Sequence, residues 1–329
     1  AKYLTSPWLT RFVPSVYTLV LVLSLPLNIT AILVFLKKMK IEKPAVVYML
    51  NLALADVLFV SVLPFKIAYH FSGNNWVFGP HMCRFITAAF YCNMYCSIML
   101  MTSISFDRFL AVVYPMQSLG WRTLTRASLI CFIIWLVAIA GVVPFLVREQ
   151  MMEIPKLNIT TCHDVLRESE LHGYYLHFFS IFSSVFFVVP FIISTVCYVC
   201  IIRCLNINTG TKRKRAIKLI IAVLCMYLIC FTPSNVLLVV HFLLLKTYNQ
   251  SYMYVSYIIA LCLSTLNSCI DPFIYYYISK DFRDNLKNAL LCRTVRTTRR
   301  MQVSLSSGRY PKKSSSYSSN SNGTTKSTY

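Results

Sequence analysis

The chain alternates between seven long apolar stretches and short polar segments along its 329 residues. A helix that crosses the hydrocarbon core of a bilayer requires about 20 mostly apolar residues. The stretches lack the alternation with a period of two that membrane β-strands show. We therefore predict an all-α membrane protein that forms a seven-transmembrane helix bundle. The predicted spans cover residues 12–36, 44–71, 82–114, 127–147, 174–205, 216–245 and 252–278.

The basic residues are concentrated on one side of these spans. The net charge is +21, yet only 13% of residues are charged and 57% are hydrophobic, which fits lipid rather than water as the solvent. Of the 32 Lys and Arg residues, 24 fall in segments on one side of the predicted membrane and 8 on the other. The positive-inside rule makes the basic side cytoplasmic and the amino terminus extracellular. We therefore expect a multi-pass plasma membrane protein and no nucleic-acid partner.

The ends of the chain differ from its centre. We assign residues 1–11 to an extracellular N-terminal stub and 12–278 to the transmembrane domain. Residues 281–292 have the spacing of a short amphipathic eighth helix on the membrane surface. Cys292 at its end is a palmitoylation candidate, with an unmodified thiol as the alternative. Residues 293–329 predict a disordered cytoplasmic tail, whose serines at 314–319 are either phosphorylated for arrestin binding or merely solvated.

Two features lie on the extracellular side. Asn158 begins an Asn-Ile-Thr glycosylation sequon in an outer loop, which is a weak signal by itself. Cys83 and Cys162 are the only cysteines clearly on the oxidising side of the membrane, so we predict that they form a disulfide.

Asp56 and Asp271 lie at membrane depth inside predicted spans, where ionisable groups are costly and usually functional. Asn93 and Ser97 are four residues apart, as are Asn267 and Asp271, so each pair shares a helix face. Oxygen ligands of this kind suit a hard cation. A plain hydrogen-bond network between helices is the alternative. The candidate metal ligands are Asp56, Asn93, Ser97, Asn267 and Asp271.

The cytoplasmic end of span three carries Asp107 next to Arg108. Such a pair can be a buried ion pair that breaks on switching, or it can include an ordinary interfacial arginine. Prolines also lie inside spans two, four, five, six and seven, and each one removes a backbone hydrogen bond and can kink its helix. They are Pro64, Pro144, Pro190, Pro233 and Pro272.

These motifs together resemble those of rhodopsin-like (class A) G-protein-coupled receptors. They occur in that family's order across the spans: Asn28, Asp56, Asp107-Arg108-Phe109, Trp135, Phe231-Thr232-Pro233 and Asp271-Pro272-Phe273-Ile274-Tyr275. Phe109, Phe231 and Asp271 depart from the residues that most members carry. The run from Asn158 to Leu166 resembles the signature of the protease-activated receptor group. Spans six and seven look like its trypsin-type member, and the segment around residues 90–95 like its thrombin-type member.

The resemblance implies a receptor rather than an enzyme. Its ligand would be a peptide that an extracellular trypsin- or thrombin-like serine protease exposes, and its targets heterotrimeric G proteins and arrestin. Another peptide or nucleotide receptor of the same branch is the alternative. A nucleotide receptor needs cationic side chains that bind the ligand's phosphates. Span six instead carries Asn235 and Leu238 on the turn that would face them. The resemblance also favours sodium at the cation site and implies no other cofactor.

The resemblance further implies roles for individual residues. The ligand cavity would lie between spans three, five, six and seven, and the switch near their cytoplasmic ends. The ligand-binding candidates are Tyr91, Asp164, Leu166, Leu171, Phe179, His241 and Tyr257. The switch candidates are Asp107, Arg108, Tyr198, Phe231, Pro233, Asp271, Pro272 and Tyr275.

The segment before the first span contains two possible cleavage sites for a trypsin-like protease. Cleavage after Lys2 would expose the four residues from Tyr3 to Ser6, and Pro7 and Trp8 come immediately after them. Cleavage after Arg11 would expose Phe12, which already lies in the first predicted span. Neither leaves a free peptide with a spacer. We therefore expect these residues to lack the activating segment, so that the receptor responds to an added peptide and not to protease alone.

Overall fold

The computed structural model describes residues 2–39, 41–165, 176–206, 211–248 and 253–290. Within these ranges seven helices are long and apolar enough to cross a membrane, which confirms the predicted seven-helix bundle. The candidates Leu166, Leu171 and Cys292, and the tail from 293 to 329, lie outside the described residues. The described residues up to 285 form one compact unit that contains the bundle, and residues 286–290 belong to a second unit.

The helices follow in chain order, and several are built from consecutive segments. A 3-10 turn at Lys2–Thr5 precedes them, and a two-stranded antiparallel sheet of β1 (Met151–Ile154) and β2 (Ile159–Cys162) follows α4. The helices are α1 (Trp8–Phe12, Val13–Val34 and Phe35–Met39), α2 (Pro44–Phe71), α3 (Gly79–Val113), α4 (Leu124–Val147), α5 (Leu176–Ser183, Ser184–Val188 and Val189–Asn206), α6 (Thr211–Met226, Tyr227–Phe231 and Thr232–Tyr248), α7 (Tyr254–Ser264 and Asn267–Ile278) and α8 (Lys280–Leu290).

The helices extend beyond the apolar stretches at several ends. Helix α1 begins at Trp8 rather than at residue 12, and α3 begins at Gly79 rather than at residue 82. In α1 the first-turn amides find acceptors before the apolar stretch begins, because the Leu9 and Thr10 amides donate to the Ser6 carbonyl over 3.0 and 3.1 Å. Hydrophobicity therefore located the membrane core but not the helix ends.

Two of the predicted proline sites coincide with wide turns in α5 and α6. π-helical segments at Ser184–Val188 and Tyr227–Phe231 lie just before Pro190 and Pro233. In α6 the Thr232 amide donates to the Tyr227 carbonyl, and the Thr232 hydroxyl donates to the same oxygen over 2.7 Å. The wider turn and the hydroxyl satisfy backbone groups that a proline disturbs.

Polar side chains join the helices inside the bundle. The Asn28 amide donates to the Ser268 carbonyl over 2.8 Å and so ties α1 to α7. The Trp135 indole N–H donates to Asn51 Oδ1 over 3.1 Å and ties α4 to α2. Hydrogen bonds of this kind hold membrane helices in register, because lipid offers no alternative partner. These two hydrogen bonds therefore hold α1 against α7 and α2 against α4.

Candidate functional site

The outer end of the bundle is capped by the hairpin of β1 and β2. The predicted disulfide is present: Cys83 at the start of α3 is bonded to Cys162 at the end of β2. The Trp76 amide donates to the Thr160 carbonyl over 2.7 Å, so the loop after α2 also holds the hairpin. A disulfide to α3 and a hydrogen bond to the loop after α2 therefore fix the hairpin over the outer end of the bundle.

An aromatic cluster lies beneath this cap. The hydroxyls of Tyr91 on α3 and Tyr257 on α7 are 2.6 Å apart and hydrogen-bonded. His241 on α6 stacks on Tyr257 with a centroid distance of 5.7 Å, and Phe179 on α5 lies 5.7 Å from Tyr91. Four predicted ligand-binding residues from four helices therefore meet in one place.

His163, which follows β2, connects the cap to this cluster. Its ring contacts the Gln150 amide oxygen through Nδ1 at 2.7 Å and the Tyr91 hydroxyl through Nε2 at 3.1 Å. The ring lies among Tyr91 and Phe145, with centroids 5.6 Å away. Burial lowers the pKa of His163 to about 3, and the nearby Lys66 ammonium lowers it further. The neutral ring therefore donates to Gln150 and accepts from Tyr91.

The backbone of His163 is also unusual. Its φ is +68°, in the left-handed region that few residues other than glycine adopt. The His163 amide donates to the Gln150 carbonyl over 2.7 Å, which holds this conformation. Sequence reasoning did not single out His163, because a histidine beside a cysteine carries no signal of this geometry.

Asp164 comes next in the chain and is buried beneath the cap. The Tyr69 hydroxyl of α2 donates to its carboxylate. Lys66, one turn earlier on α2, is also buried, with its ammonium 5.5 Å from the centre of the Tyr69 ring. Asp164 is therefore held beside α2, whereas the Tyr91 cluster joins α3, α5, α6 and α7.

The amino-terminal turn packs against the same end of the bundle. Leu4 is fully buried, and its carbonyl accepts from the Asn74 amide over 2.6 Å. Asn74 in turn contacts His70 Nδ1 at 2.7 Å. The sequence did not predict this contact, because a single leucine in a polar segment gives no sign of whether its side chain is buried.

The central carboxylates lie at mid-bundle and are fully buried. The Ser268 hydroxyl donates to Asp56 Oδ1 over 2.8 Å. The remaining Asp56 oxygen and both oxygens of Asp271 have no hydrogen-bond partner among the described residues. The same is true of Asn93 Oδ1 and Ser97 Oγ, whereas the unpaired atom of Asn267 is its donor, Nδ2.

Five oxygens without partners fit the ligand set of a hard cation. Asn267 instead fits as a donor to one of the carboxylates. Among the described residues no three His, Cys, Asp or Glu side chains are grouped as a metal site. A cation held here would therefore rely on the neutral oxygens of Asn93 and Ser97 as well as the two carboxylates.

At the cytoplasmic end of α3, Asp107 is paired mainly with a loop residue. Arg122 Nε donates to Asp107 Oδ1 over 2.8 Å, and its Nη2 donates to Oδ2 over 3.1 Å. Arg108 is farther from the carboxylate, at 3.7 Å. The sequence prediction paired Asp107 with its neighbour and missed Arg122, which forms a bidentate ion pair that fixes the loop after α3.

The other switch candidates are buried inside the bundle, except Pro233, which is partly exposed. The Tyr198 hydroxyl is hydrogen-bonded to Ser105 on α3. The Tyr275 ring is 5.4 Å from Phe35 and 6.1 Å from Phe282 of α8, and its hydroxyl has no partner within the described ranges. Phe231 is fully buried just before Pro233, and Pro272 lies within α7 next to Asp271.

Two polar junctions of α6 were not predicted. The Tyr227 hydroxyl contacts the hydroxyls of Thr102 at 2.8 Å and Ser194 at 3.3 Å. Asn235 Oδ1 accepts from Tyr95 and from Ser183, each over 3.1 Å. Asn235 therefore joins α3, α5 and α6, and its side-chain oxygen is used by these helix contacts.

The comparisons with known proteins agree with this arrangement. Residues 27–275 match the family described as 7 transmembrane receptor (rhodopsin family). The chain is 62% identical to human proteinase-activated receptor 1 over 295 residues, which cover 88% of this chain and 69% of the relative. The corresponding protein of Rattus norvegicus is 61% identical, with coverages of 88% and 68%. Human proteinase-activated receptor 2 is 52% identical over 326 residues, covering 98% and 82%.

The chain belongs to the rhodopsin family of seven-transmembrane, G-protein-coupled receptors. Within that family it is a member of the protease-activated receptor group. It is therefore a multi-pass plasma membrane receptor, from a family of receptors and not of enzymes. The alignment with receptor 2 extends further along the chain than that with receptor 1, in line with the mixed features noted in the sequence.

Proposed function

We propose that a peptide switches this receptor by binding beneath the hairpin of β1 and β2, and that the bound state activates a heterotrimeric G protein. The observation that carries the proposal is the cluster of Tyr91, His241 and Tyr257 under a disulfide-held cap. Aromatic rings with hydroxyl groups offer both apolar contact and hydrogen bonds, which suits the mixed surface of a peptide.

Asp164 is the proposed partner of a cationic group on that peptide. A buried carboxylate gains most from a charged donor such as an amino terminus or an arginine. Exposed acidic residues of the same loop, Glu149 and Glu153, would draw a cationic peptide toward the cavity. Tyr69 keeps the Asp164 carboxylate satisfied before the peptide arrives.

The peptide itself is proposed to be a tethered ligand that an extracellular trypsin- or thrombin-like serine protease exposes. The proposal rests on the similarity to proteinase-activated receptors, whose names record activation by proteolysis. A tether raises the effective concentration of its ligand, often to the millimolar range. A cavity of modest intrinsic affinity is therefore sufficient for a tethered ligand.

We propose that sodium at Asp56 and Asp271 favours the resting state. The unpaired oxygens of these residues, Asn93 and Ser97 support the site. The ion would offset one negative charge of two buried carboxylates that the protein leaves without enough donors. If movement of α7 and α3 in the active state separates these ligands, sodium binding and activation oppose each other.

At the cytoplasmic side, the Asp107–Arg122 pair is proposed to hold the loop after α3 in the resting arrangement. Tyr198 and Tyr275 are proposed to stabilise the open form in which α6 moves outward and a G protein binds. The unpaired Tyr275 hydroxyl supports a partner that becomes available only in that form. The change is a population shift between two arrangements.

Three further proposals concern modification and partners. Asn158 is exposed in the turn between β1 and β2, which is compatible with glycosylation. Palmitate on Cys292 would hold the end of the α8 region at the membrane lipid. Phosphorylation of the serines at 314–319 would recruit arrestin.

The proposed role of Asp164 is tested by peptide dose–response in cells. Short synthetic peptides copied from the tethered ligands of human proteinase-activated receptors 1 and 2 serve as agonists. Asp164→Asn should raise the half-maximal concentration for calcium release by about 10- to 100-fold, as expected for loss of a charged hydrogen bond. The matched control is Glu153→Gln, which removes an exposed charge from the same loop.

Surface receptor numbers are measured in parallel by antibody staining. An unchanged dose–response for Asp164→Asn at equal surface expression would remove Asp164 from the binding site. An equal shift in Glu153→Gln would show that the loop charge acts only by attraction at long range.

A further inference from the structure

A cleft opens toward the lipid on the cytoplasmic half of the bundle, away from the peptide cavity. It lies between α3, α4 and the loop that joins them, with residues of α2 and α5 at its edges, and its volume is about 520 Å³. Its walls are largely apolar side chains such as Phe106, Ile130 and Ile133, which are partly exposed on the helix surfaces. A space of this size and polarity within a bilayer is filled by hydrocarbon, because water gains no hydrogen bonds from such walls.

The cytoplasmic mouth of this cleft has a different character. Trp121 is 72% exposed there, and the guanidinium of Arg126 lies 4.9 Å from the centre of its ring. An exposed tryptophan beside an arginine is typical of the membrane interface, where the ring and the cation lie at the level of lipid headgroups. The mouth therefore lies where the headgroup of an inner-leaflet lipid would lie.

The charge at the mouth is not balanced by the protein. Arg122 also lines the cleft, but it is engaged by Asp107. Arg126 donates to the Gly120 carbonyl over 3.1 Å and has no carboxylate partner among the described residues. One exposed cation therefore faces the leaflet in which anionic phospholipids are concentrated.

We propose that this cleft binds one anionic glycerophospholipid of the inner leaflet. An acyl chain lies along Phe106, Ile130 and Ile133, and the headgroup phosphate or carboxylate binds Arg126 and packs near Trp121. Charge complementarity at the mouth selects an anionic lipid over a zwitterionic lipid or a sterol, since neither of those brings net negative charge. Asp107 and Arg122 form part of the wall, so the lipid also touches the ion pair that fixes the loop after α3.

The test is native mass spectrometry of the full chain, purified with equal amounts of phosphatidylserine and phosphatidylcholine. We expect one phosphatidylserine to remain bound in preference to phosphatidylcholine. Arg126→Gln should lower that occupancy by about five-fold, the effect of one basic residue near an anionic surface. Arg126→Lys should retain most of it. The matched control is Arg203→Gln, which removes an exposed cytoplasmic arginine of α5 that does not line the cleft.

A second pair of variants tests the apolar part. Ile130→Trp fills the cleft and should displace the lipid. Leu136→Trp changes an exposed residue of the same helix that does not line it and should leave binding intact. Equal retention of the two lipids by the unmodified chain would overturn the proposal, because the cleft would then not select for an anionic headgroup. Equal losses in the Arg126 and Arg203 variants, or full binding in Ile130→Trp, would also overturn it.

Discussion

The pH dependence of the outer cap follows from one buried histidine. Burial lowers the pKa of His163 from its ordinary value of 6.5 to about 3. Between these values the unfolded chain binds a proton that the folded receptor does not, so stability falls as the pH falls below 6.5. Protonation would also remove the acceptor that Nε2 offers to Tyr91. From pH 7 to pH 5 the loss attributable to this histidine is about 2 kcal/mol.

The assay is thermal unfolding of the purified receptor at pH 7 and at pH 5, for the unmodified chain and for His163→Gln. Glutamine stays neutral at both values and so removes this contribution. The unmodified receptor should lose about 4 °C more in melting temperature than the variant.

Other titrating groups contribute equally to both proteins and cancel in the comparison. His177→Gln, at an exposed position of α5, is the control and should behave like the unmodified chain. Identical pH-dependent losses in the unmodified receptor and in His163→Gln would refute the reasoning, since the histidine would then be neutral or charged alike in both states.

Three further predictions concern the tether, the cation and the ion pair. Cys83→Ser or Cys162→Ser should lower surface expression and peptide response together, because the cap loses its covalent tether. Flow cytometry measures the first and calcium release the second, and normal values of both would contradict the prediction. Sodium should weaken agonist binding, and Asp56→Asn should abolish that effect; a sodium response unchanged in the variant would leave only a hydrogen-bond network. Arg122→Gln leaves Asp107 only the more distant Arg108 and should cost about 1.5–3 kcal/mol of stability and raise basal nucleotide exchange. Unchanged basal exchange would show that this ion pair does not control switching.

The seven spans and the disulfide were accessible from the sequence for a simple reason. Long apolar helices and a pair of extracellular cysteines are local signals, and the membrane restricts how they can be arranged. The ligand-binding candidates Tyr91, His241 and Tyr257, which the structure brings together, were predicted from the sequence to line one cavity. That prediction depended on the family resemblance, because spacing along the chain does not show which helices are neighbours.

The contacts that the sequence did not predict join residues from different segments. Asp107 was paired with Arg108 because they are adjacent, yet adjacent residues of a helix point in different directions. Its closer partner, Arg122, comes from the following loop. Asp164 and Tyr69 are 95 positions apart, and Leu4 meets Asn74 across the outer surface. Such contacts depend on how the folded loops lie over the bundle, which periodicity does not encode.

The central claim is that a peptide in the outer cavity activates a G protein at the cytoplasmic face. Nucleotide exchange on a purified heterotrimeric G protein, with the receptor reconstituted in nanodiscs, tests it most directly. The synthetic peptides described above should accelerate exchange in the unmodified receptor. Arg108→Ala should still bind them but fail to accelerate exchange. Peptide binding that leaves exchange unchanged in the unmodified receptor, or equal acceleration by a scrambled peptide, would contradict the account.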